Sequence, residues 1–386
     1  MRAPRAIPRE SDFTSRLRSP TVAARVGLWL GICFAVAFLT GVISHYQQDQ
    51  PAWLTLPTRP VWLFRVTQGL HVIAGTAAVP LLLVKLWSVY QNLFAEIPWR
   101  QTRALVLHLL ERVSIAVLVA SAIFQLVTGL LNITHWYAYE FSFRSTHYAL
   151  AWIAIGSLVV HIAVKLPLIR EALAGDIDDD PASPPPEGKG LSRRGLVNTA
   201  LLAAGVAVVS TAGSTVPLLR GISIFGVRSG DGPQDVPVNK SAKAAGVVAA
   251  ALSPSYRLSL VNGSRAVSLS REELLAMRQH SAELPIACVE GWSASGLWTG
   301  VRIRELLDLV DAPPDSAIHV QSLQESGAFA DSEMPGEFTD DPLTMLALSL
   351  GEEPLSIDHG FPARLIAPAR PGVLQTKWVT RIEVRA

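Results

Sequence analysis

Long apolar runs dominate the first half of the chain, and alternating apolar and polar positions dominate the second. Five stretches, 22–44, 61–90, 105–133, 146–169 and 196–219, stay apolar over the roughly 20 residues that a helix needs to cross a bilayer. The first follows an Arg-rich tail and lacks a small-residue cleavage site, so it predicts a retained span rather than a cleaved leader. From about Ser253 the period falls from 3.6 to 2. Strands are predicted over 256–261 and 266–269, joined at Asn262-Gly263, followed by a helix that a Ser270/Glu273 capping box opens and that runs to Gln279. Further strands are expected over 285–289, 318–322, 364–368 and 378–384, with a helix over 301–310. The fold class is therefore multi-domain: an N-terminal all-α transmembrane bundle of four helices plus a fifth connecting helix, then an α+β domain of about 135 residues, large enough for its own core.

Composition and charge sharpen this division. Of 386 residues 49% are hydrophobic and only 17% charged, and the mean hydropathy of +0.32 puts part of the chain in lipid. The net charge of +1 hides 19 basic against 12 acidic residues up to Gly221, and 14 against 20 beyond it. Neither half carries the dense basic surface that phosphate backbones require, which excludes nucleic acid as a partner. Two cysteines, Cys33 and Cys288, exclude a disulfide framework. Placing the N-terminus in the cytoplasm assigns Arg2, Arg5, Arg9, Arg16, Arg18, Arg100, Arg103, Arg170, Lys189, Arg193 and Arg194 to inner segments and only Arg59 and Arg144 to outer loops. Five crossings then set everything after Leu219 outside the cytoplasm, in a multi-pass protein of the cell membrane.

Ionisable groups inside such helices mark function by default. Here they are mainly His71 in the second helix, His108 in the third, and His147 and His161 in the fourth. By topology His71 and His147 belong to the outer half of the membrane, and His108 and His161 to the inner half. His147 and His161 are 14 residues apart, within ~40° of whole turns and ~21 Å in rise, so both lie on one face at two depths. That placement is what one or two b-type haems need, each iron held by an outer or an inner imidazole pair, with Arg65 and Arg112 at the depths of the propionates. The histidine placement resembles the cytochrome b subunits of bacterial respiratory oxidoreductases over about residues 22–170. The resemblance implies a bundle at 1–170 that carries haem b and exchanges electrons with the quinone pool.

After Ile169 the chain becomes polar, with Asp176, Asp178 to Asp180, Pro181 and Pro184 to Pro186, as a cytoplasmic linker over 171–195 does. It ends in Ser192-Arg193-Arg194-Gly195-Leu196 ahead of a mildly apolar helix at 196–219, an order similar to an internal twin-arginine export signal, although two arginines also serve as a simple orientation anchor. Whether this helix is cut near Ala212 is left open by the sequence.

The chemistry of the outer domain centres on Cys288, in Cys288-Val289-Glu290-Gly291-Trp292-Ser293, where a strand passes into a Gly turn and a thiolate suits a metal with other soft ligands. With Trp298-Thr299-Gly300-Val301, Ile357-Asp358-His359-Gly360-Phe361-Pro362-Ala363-Arg364-Leu365 and Lys377-Trp378-Val379, residues 233–386 resemble the molybdopterin-binding domain of the sulfite oxidase and periplasmic methionine sulfoxide reductase family. The resemblance implies a molybdenum held by Cys288 and the dithiolene of one pterin. It also implies that His359 and Arg364 hold the pterin and its phosphate, with Lys377 and Asn239 as further contacts. Sulfite oxidases carry arginines just after the metal cysteine, whereas Glu290 and Trp292 stand here, which leans towards the sulfoxide reductase branch. The expected activity is molybdenum-dependent oxygen-atom transfer outside the cytoplasm with a small donor or acceptor such as a sulfoxide, coupled to the quinone pool. Alternatives are a sulfite-oxidase-like dehydrogenase that reduces quinone, or a membrane-anchored module without catalysis.

Overall fold

A computed structural model describes residues 8–51, 53–178, 190–226, 232–327 and 330–385. Five helices are long and apolar enough to span a membrane: α1 (Pro20–Gln48), α2 (Leu63–Val89), α3 (Thr102–Ile133), α4 (Phe143–Ala174) and α5 (Arg193–Thr211). α5 ends eight residues before the expected Leu219. Two 3-10 turns, Ala212–Ser214 and Pro217–Leu219, replace its last part, because Pro217 supplies no N–H to continue the helix. α4 continues to Ala174, so the start of the expected linker is helical. Its Pro-rich centre, with Lys189, and the tail holding Arg2 and Arg5 lie outside the described residues.

The chain forms two compact units, one of residues 1–41 and 70–211 and one of 42–69 and 212–386. In the first, Val22 and Val26 of α1, Leu81 of α2 and Val197, Ala200 and Ala204 of α5 share a buried cluster. Small residues on α5 allow this close approach, as in membrane helix pairs generally. Arg193 is buried and its Nε donates to the Arg16 carbonyl (2.9 Å), whereas the exposed Arg194 pairs with Asp176 (3.0 Å) and Asp178 (3.2 Å).

The second unit holds two five-stranded sheets. One runs β2 (Arg265–Ser270), β1 (Arg257–Asn262), β10 (Val379–Val384), β5 (Ile318–Ser322) and β6 (Asp331–Met334), with β1 and β10 parallel and the other pairs antiparallel. The other runs β3 (His280–Ala287), β4 (Ser293–Arg302), β7 (Met345–Leu350) and β8 (Glu353–Pro354), and β9 (Arg364–Ile366) also pairs with β7. Expected strand 318–322 matches β5, and the Ser270/Glu273 capping box opens a helix that stops at Ala276 rather than Gln279. Val301 and Arg302, expected in a helix, close β4 instead, and the helix spans Ile303–Asp308. β4 escapes a period-2 reading because Ser293, Ser295, Gly296, Thr299 and Gly300 leave little apolar contrast.

β7 was missed for the opposite reason. Met345-Leu346-Ala347-Leu348 is continuously apolar because both faces are covered: Leu346 and Leu348 join a core with Leu258, Val320 and Ile382, while Met345 and Ala347 join a second with Leu284, Ile286, Cys288 and Trp298. Residues 42–69 belong to this unit through specific contacts. Leu56 packs on the first core and Val61 on the second, the Val61 carbonyl accepts from the Ala369 N–H (3.1 Å), and Arg59 forks onto the buried Asp341 carboxylate (2.6 and 3.0 Å).

Candidate functional site

Cys288 directly follows β3 and opens the turn into β4. The turn closes on itself through Gly291 N–H to the Cys288 carbonyl (3.0 Å) and Cys288 N–H to the Trp292 carbonyl (2.9 Å), and the cysteine is 1% exposed. Neither cysteine is in a disulfide. The Trp292 indole donates to the Glu290 carboxylate (3.1 Å), which fixes an acid beside the thiol.

Arg364 and Lys377, from the segment after β8, lie within electrostatic reach of it, and His359 lies within reach of both. Arg364, on the first position of β9, lies over the Trp298 ring (5.5 Å) and donates to the His359 carbonyl (3.3 Å), and its Nε is buried with no hydrogen-bond partner. Lys377 donates to the carbonyls of Lys240 and Asp358 (3.0 Å for the latter) and sits 4.6 Å from the Trp378 ring. His359 Nε2 donates to the Pro233 carbonyl (2.5 Å). The Lys240 contact sets the segment bearing Asn239 beside Lys377, and the Asn239 carboxamide oxygen accepts from the Lys240 N–H (2.9 Å).

Backbone strain holds this arrangement. Gly360 has φ +111°, and a Cβ there would meet Lys377 and Arg364 at 3.1 Å, so glycine is what lets the two cations close on each other. Trp378, a buried indole, has φ +55° and is held there by its Nε1 donating to the Ile357 carbonyl (2.7 Å).

Burial pushes the Arg364 guanidinium down to about 10, the nearby Cys288 thiol opposing the shift. Lys377 is pushed well below the ammonium range by burial and then by Arg364, and His359 falls to about 4 through burial and then Arg364, so it is neutral at pH 7. Buried cations whose donors reach only main-chain carbonyls, one with an orphaned N–H, form a socket for an anion. The donor set therefore fits a phosphate-bearing group beside a thiolate.

In the helical unit His71 and His147 meet. His71 and His147 have ring centres 6.2 Å apart and planes at 71°. His71 Nδ1 donates to the Ala37 carbonyl (2.8 Å) and His147 Nδ1 contacts the Thr128 hydroxyl (3.2 Å), so these bonds engage Nδ1 and not Nε2 of each ring. Gly41 lets the His71 ring approach, since a Cβ there would stand 3.0 Å from it. His108 is differently engaged: its Nε2 accepts from Arg112 Nε (2.8 Å), and Arg112 also donates to the Leu93 and Asn92 carbonyls (2.8 and 3.0 Å). His161 lies within electrostatic reach of Lys85, Lys165 and Glu111. Among the described residues no three His, Cys, Asp or Glu side chains gather as a metal cage, which neither a two-imidazole site nor a single thiolate needs.

Sequence reasoning missed the residues that brace the cysteine turn from outside. Gln68 donates to the Val289 carbonyl (3.1 Å), Thr215 to the Gly291 carbonyl, and Arg65 to the hydroxyls of Ser293 (3.1 Å) and Ser295 (3.0 Å). No local signal marks Gln68 or Thr215, since each lies far along the chain from its partner.

Residues 245–386 match the family Oxidoreductase molybdopterin binding domain. This region is a molybdopterin-binding oxidoreductase domain of the sulfite oxidase and methionine sulfoxide reductase type. The chain is 30% identical over 154 residues to mitochondrial sulfite oxidase of Drosophila melanogaster, across 33% of this chain and 27% of that protein. It is 32% identical over 133 residues to the catalytic subunit MsrP of the protein-methionine-sulfoxide reductase of Xanthomonas axonopodis, across 30% of this chain and 40% of that protein. Among solved structures the sulfane dehydrogenase SoxCD of Paracoccus pantotrophus aligns at 24% identity and a TM-score of 0.31, covering 34% of this chain and 38% of that one. The chain thus spans less than half the length of each of these relatives.

Proposed function

We propose that this chain is a membrane-bound molybdenum enzyme that reduces a small sulfoxide outside the cytoplasm, with electrons drawn from the quinone pool through one haem b. The observation that carries the reading is the buried socket of Arg364, Lys377 and neutral His359 next to the Cys288 thiol. A socket of this kind is costly to fold empty and is explained by an anionic cofactor (P-bearing and soft-ligating at once). When bound, the molybdenum supplies two-electron oxygen-atom exchange, which no side chain provides. Cys288 is the protein's ligand. Arg364 and Lys377 grip the phosphate, and neutral His359, its Nε2–H committed to Pro233, presents Nδ1 as an acceptor to the pterin.

Glu290 argues for substrate class. Held by Trp292 at 3.1 Å, its carboxylate places negative charge at the thiolate turn, which repels a sulfite dianion and tolerates a neutral sulfoxide. The overall change, R2SO plus two electrons and two protons giving R2S and water, balances against oxidation of one quinol. His71 and His147 would hold the haem iron: their ring centres lie 6.2 Å apart, and Nδ1 of each is engaged elsewhere. The five apolar helices support membrane anchoring, and the positive-inside count supports an outer location for the oxidoreductase domain in the cell membrane.

The test is Cys288→Ala in the purified full chain. Haem bands reduced by a quinol analogue should persist in the variant but no longer be reoxidised by methionine sulfoxide, while the parent reoxidises. Reoxidation at the parent rate in Cys288→Ala would remove the thiolate from the reaction.

A further inference from the structure

The turn that carries Cys288 is half-closed by its own backbone and half by residues outside the oxidoreductase domain. Its internal bonds run from the Gly291 and Cys288 N–H groups to the Cys288 and Trp292 carbonyls; the carbonyls of Val289 and Gly291 accept from further along the chain. Each of these takes a donor from another part of the chain: Val289 from Gln68 Nε2 on the second turn of α2 (3.1 Å), and Gly291 from the Thr215 hydroxyl just after α5. The brace is doubly tied. Ser293, where the turn enters β4, donates to the Thr215 carbonyl (3.0 Å) and accepts from Arg65 Nε (3.1 Å), and Arg65 continues to Ser295 (3.0 Å). Gln68 is itself oriented by Ser44, whose hydroxyl donates to its Oε1 (2.9 Å). Gln68, Ser44, Thr215 and Ser293 are 6%, 5%, 5% and 2% exposed, so water does not readily replace any bond that is lost.

We propose that Gln68 and Thr215 are positioning residues for the molybdenum-ligating thiolate: the segments at 42–69 and 212–215 set the conformation of the Cys288–Gly291 turn and thereby the direction of the Cys288 sulfur. The proposal rests on the reading of Cys288 as the metal ligand. A metal–thiolate bond is sensitive to the torsion about sulfur, and groups that orient a ligand without touching the metal commonly change affinity or activity by about 10- to 100-fold. In this chain the apolar helix ends thus serve the active site as well as any membrane.

The experiment uses the full chain in detergent with Gln68→Leu and Thr215→Val, each close in volume to the native side chain. The first arm needs no cofactor: in a Cys33→Ser background made by a host unable to synthesise the pterin, Cys288 is titrated with N-ethylmaleimide. The braced turn opens rarely, so both variants should be alkylated at least about tenfold faster than the parent. The second arm reads the loaded proteins by molybdenum content, the g-values of the Mo(V) resonance and the split of kcat from KM. Shifted g-values and a kcat lowered about tenfold with KM unchanged are expected. Alkylation rates within twofold of the parent, or g-values identical to the parent, would each overturn the proposal. The ligand reading fails separately, through a Cys288→Ala protein that keeps the parental Mo(V) resonance.

Discussion

Replacing Arg364 by Met should have opposite effects on the empty and the loaded protein. Burial pushes the folded-state pKa of Arg364 below the ordinary guanidinium value, to about 10. At about 1.4 kcal/mol per unit this makes the buried cation cost roughly 3 kcal/mol relative to an exposed one. Because the folded pKa is the lower one, that cost is present in full at any pH below about 10, so a measurement at pH 7 reads all of it. Methionine removes the charge at similar volume. It forfeits the stacking on Trp298 at 5.5 Å, ~1 kcal/mol, and the bond to the His359 carbonyl at 3.3 Å, another ~1 kcal/mol. The cofactor-free variant should therefore be as stable as the parent or more stable by about 1 kcal/mol, read as thermal unfolding by tryptophan fluorescence of the full chain. In the loaded protein the same change leaves a buried phosphate short of its charge-assisted partner, at ~3–5 kcal/mol, or at least a hundredfold weaker retention. Molybdenum remaining after gel filtration measures it. A cofactor-free Arg364→Met protein destabilised by more than 2 kcal/mol, with molybdenum retained, would refute the socket reasoning, because the arginine would then be a structural group.

His359 titrates in the folded protein at about 4, below its unfolded value of about 6.5; its contribution is whole above 6.5 and is lost as pH falls towards 4, so Tm should drop on the order of 10 °C across that window and His359→Gln should flatten the slope. A profile equally steep in the variant would place the titration elsewhere. Either His71→Ala or His147→Ala should remove nearly all Soret absorbance from membranes, whereas His108→Ala, whose ring accepts from Arg112, should leave most of it; equal losses from all three would restore a second haem. Changing Arg193 and Arg194 together to Lys should keep α1 to α4 inserted but leave the oxidoreductase domain inaccessible to protease added to wall-stripped cells. Unchanged accessibility would reduce the pair to an orientation anchor.

Local physics determined much of this protein in advance. A helix able to cross lipid must be apolar along its whole length, so five helices long and apolar enough to do so are legible from runs of residues alone, and β1, β2 and β5 from period-2 alternation that one buried face imposes. The Ser270/Glu273 box and the motif around Cys288 are equally local, because capping and turn chemistry act within four residues. Packing across the chain decided the rest. β7 has no alternation because two cores claim its two faces, and β4 hides its register in small residues that only the pairing with β3 and β7 explains. Histidine spacing in the spans is visible in the sequence, but that His71 meets His147 while His108 turns to Arg112 follows from which helix faces touch. Arg65, which the sequence suggested as a propionate partner, donates instead to Ser293 and Ser295. Gln68 and Thr215 reach the cysteine turn across 221 and 76 residues. A hydrogen bond at that separation leaves no periodic trace, since it depends on where the backbone returns and not on what surrounds the residue in sequence.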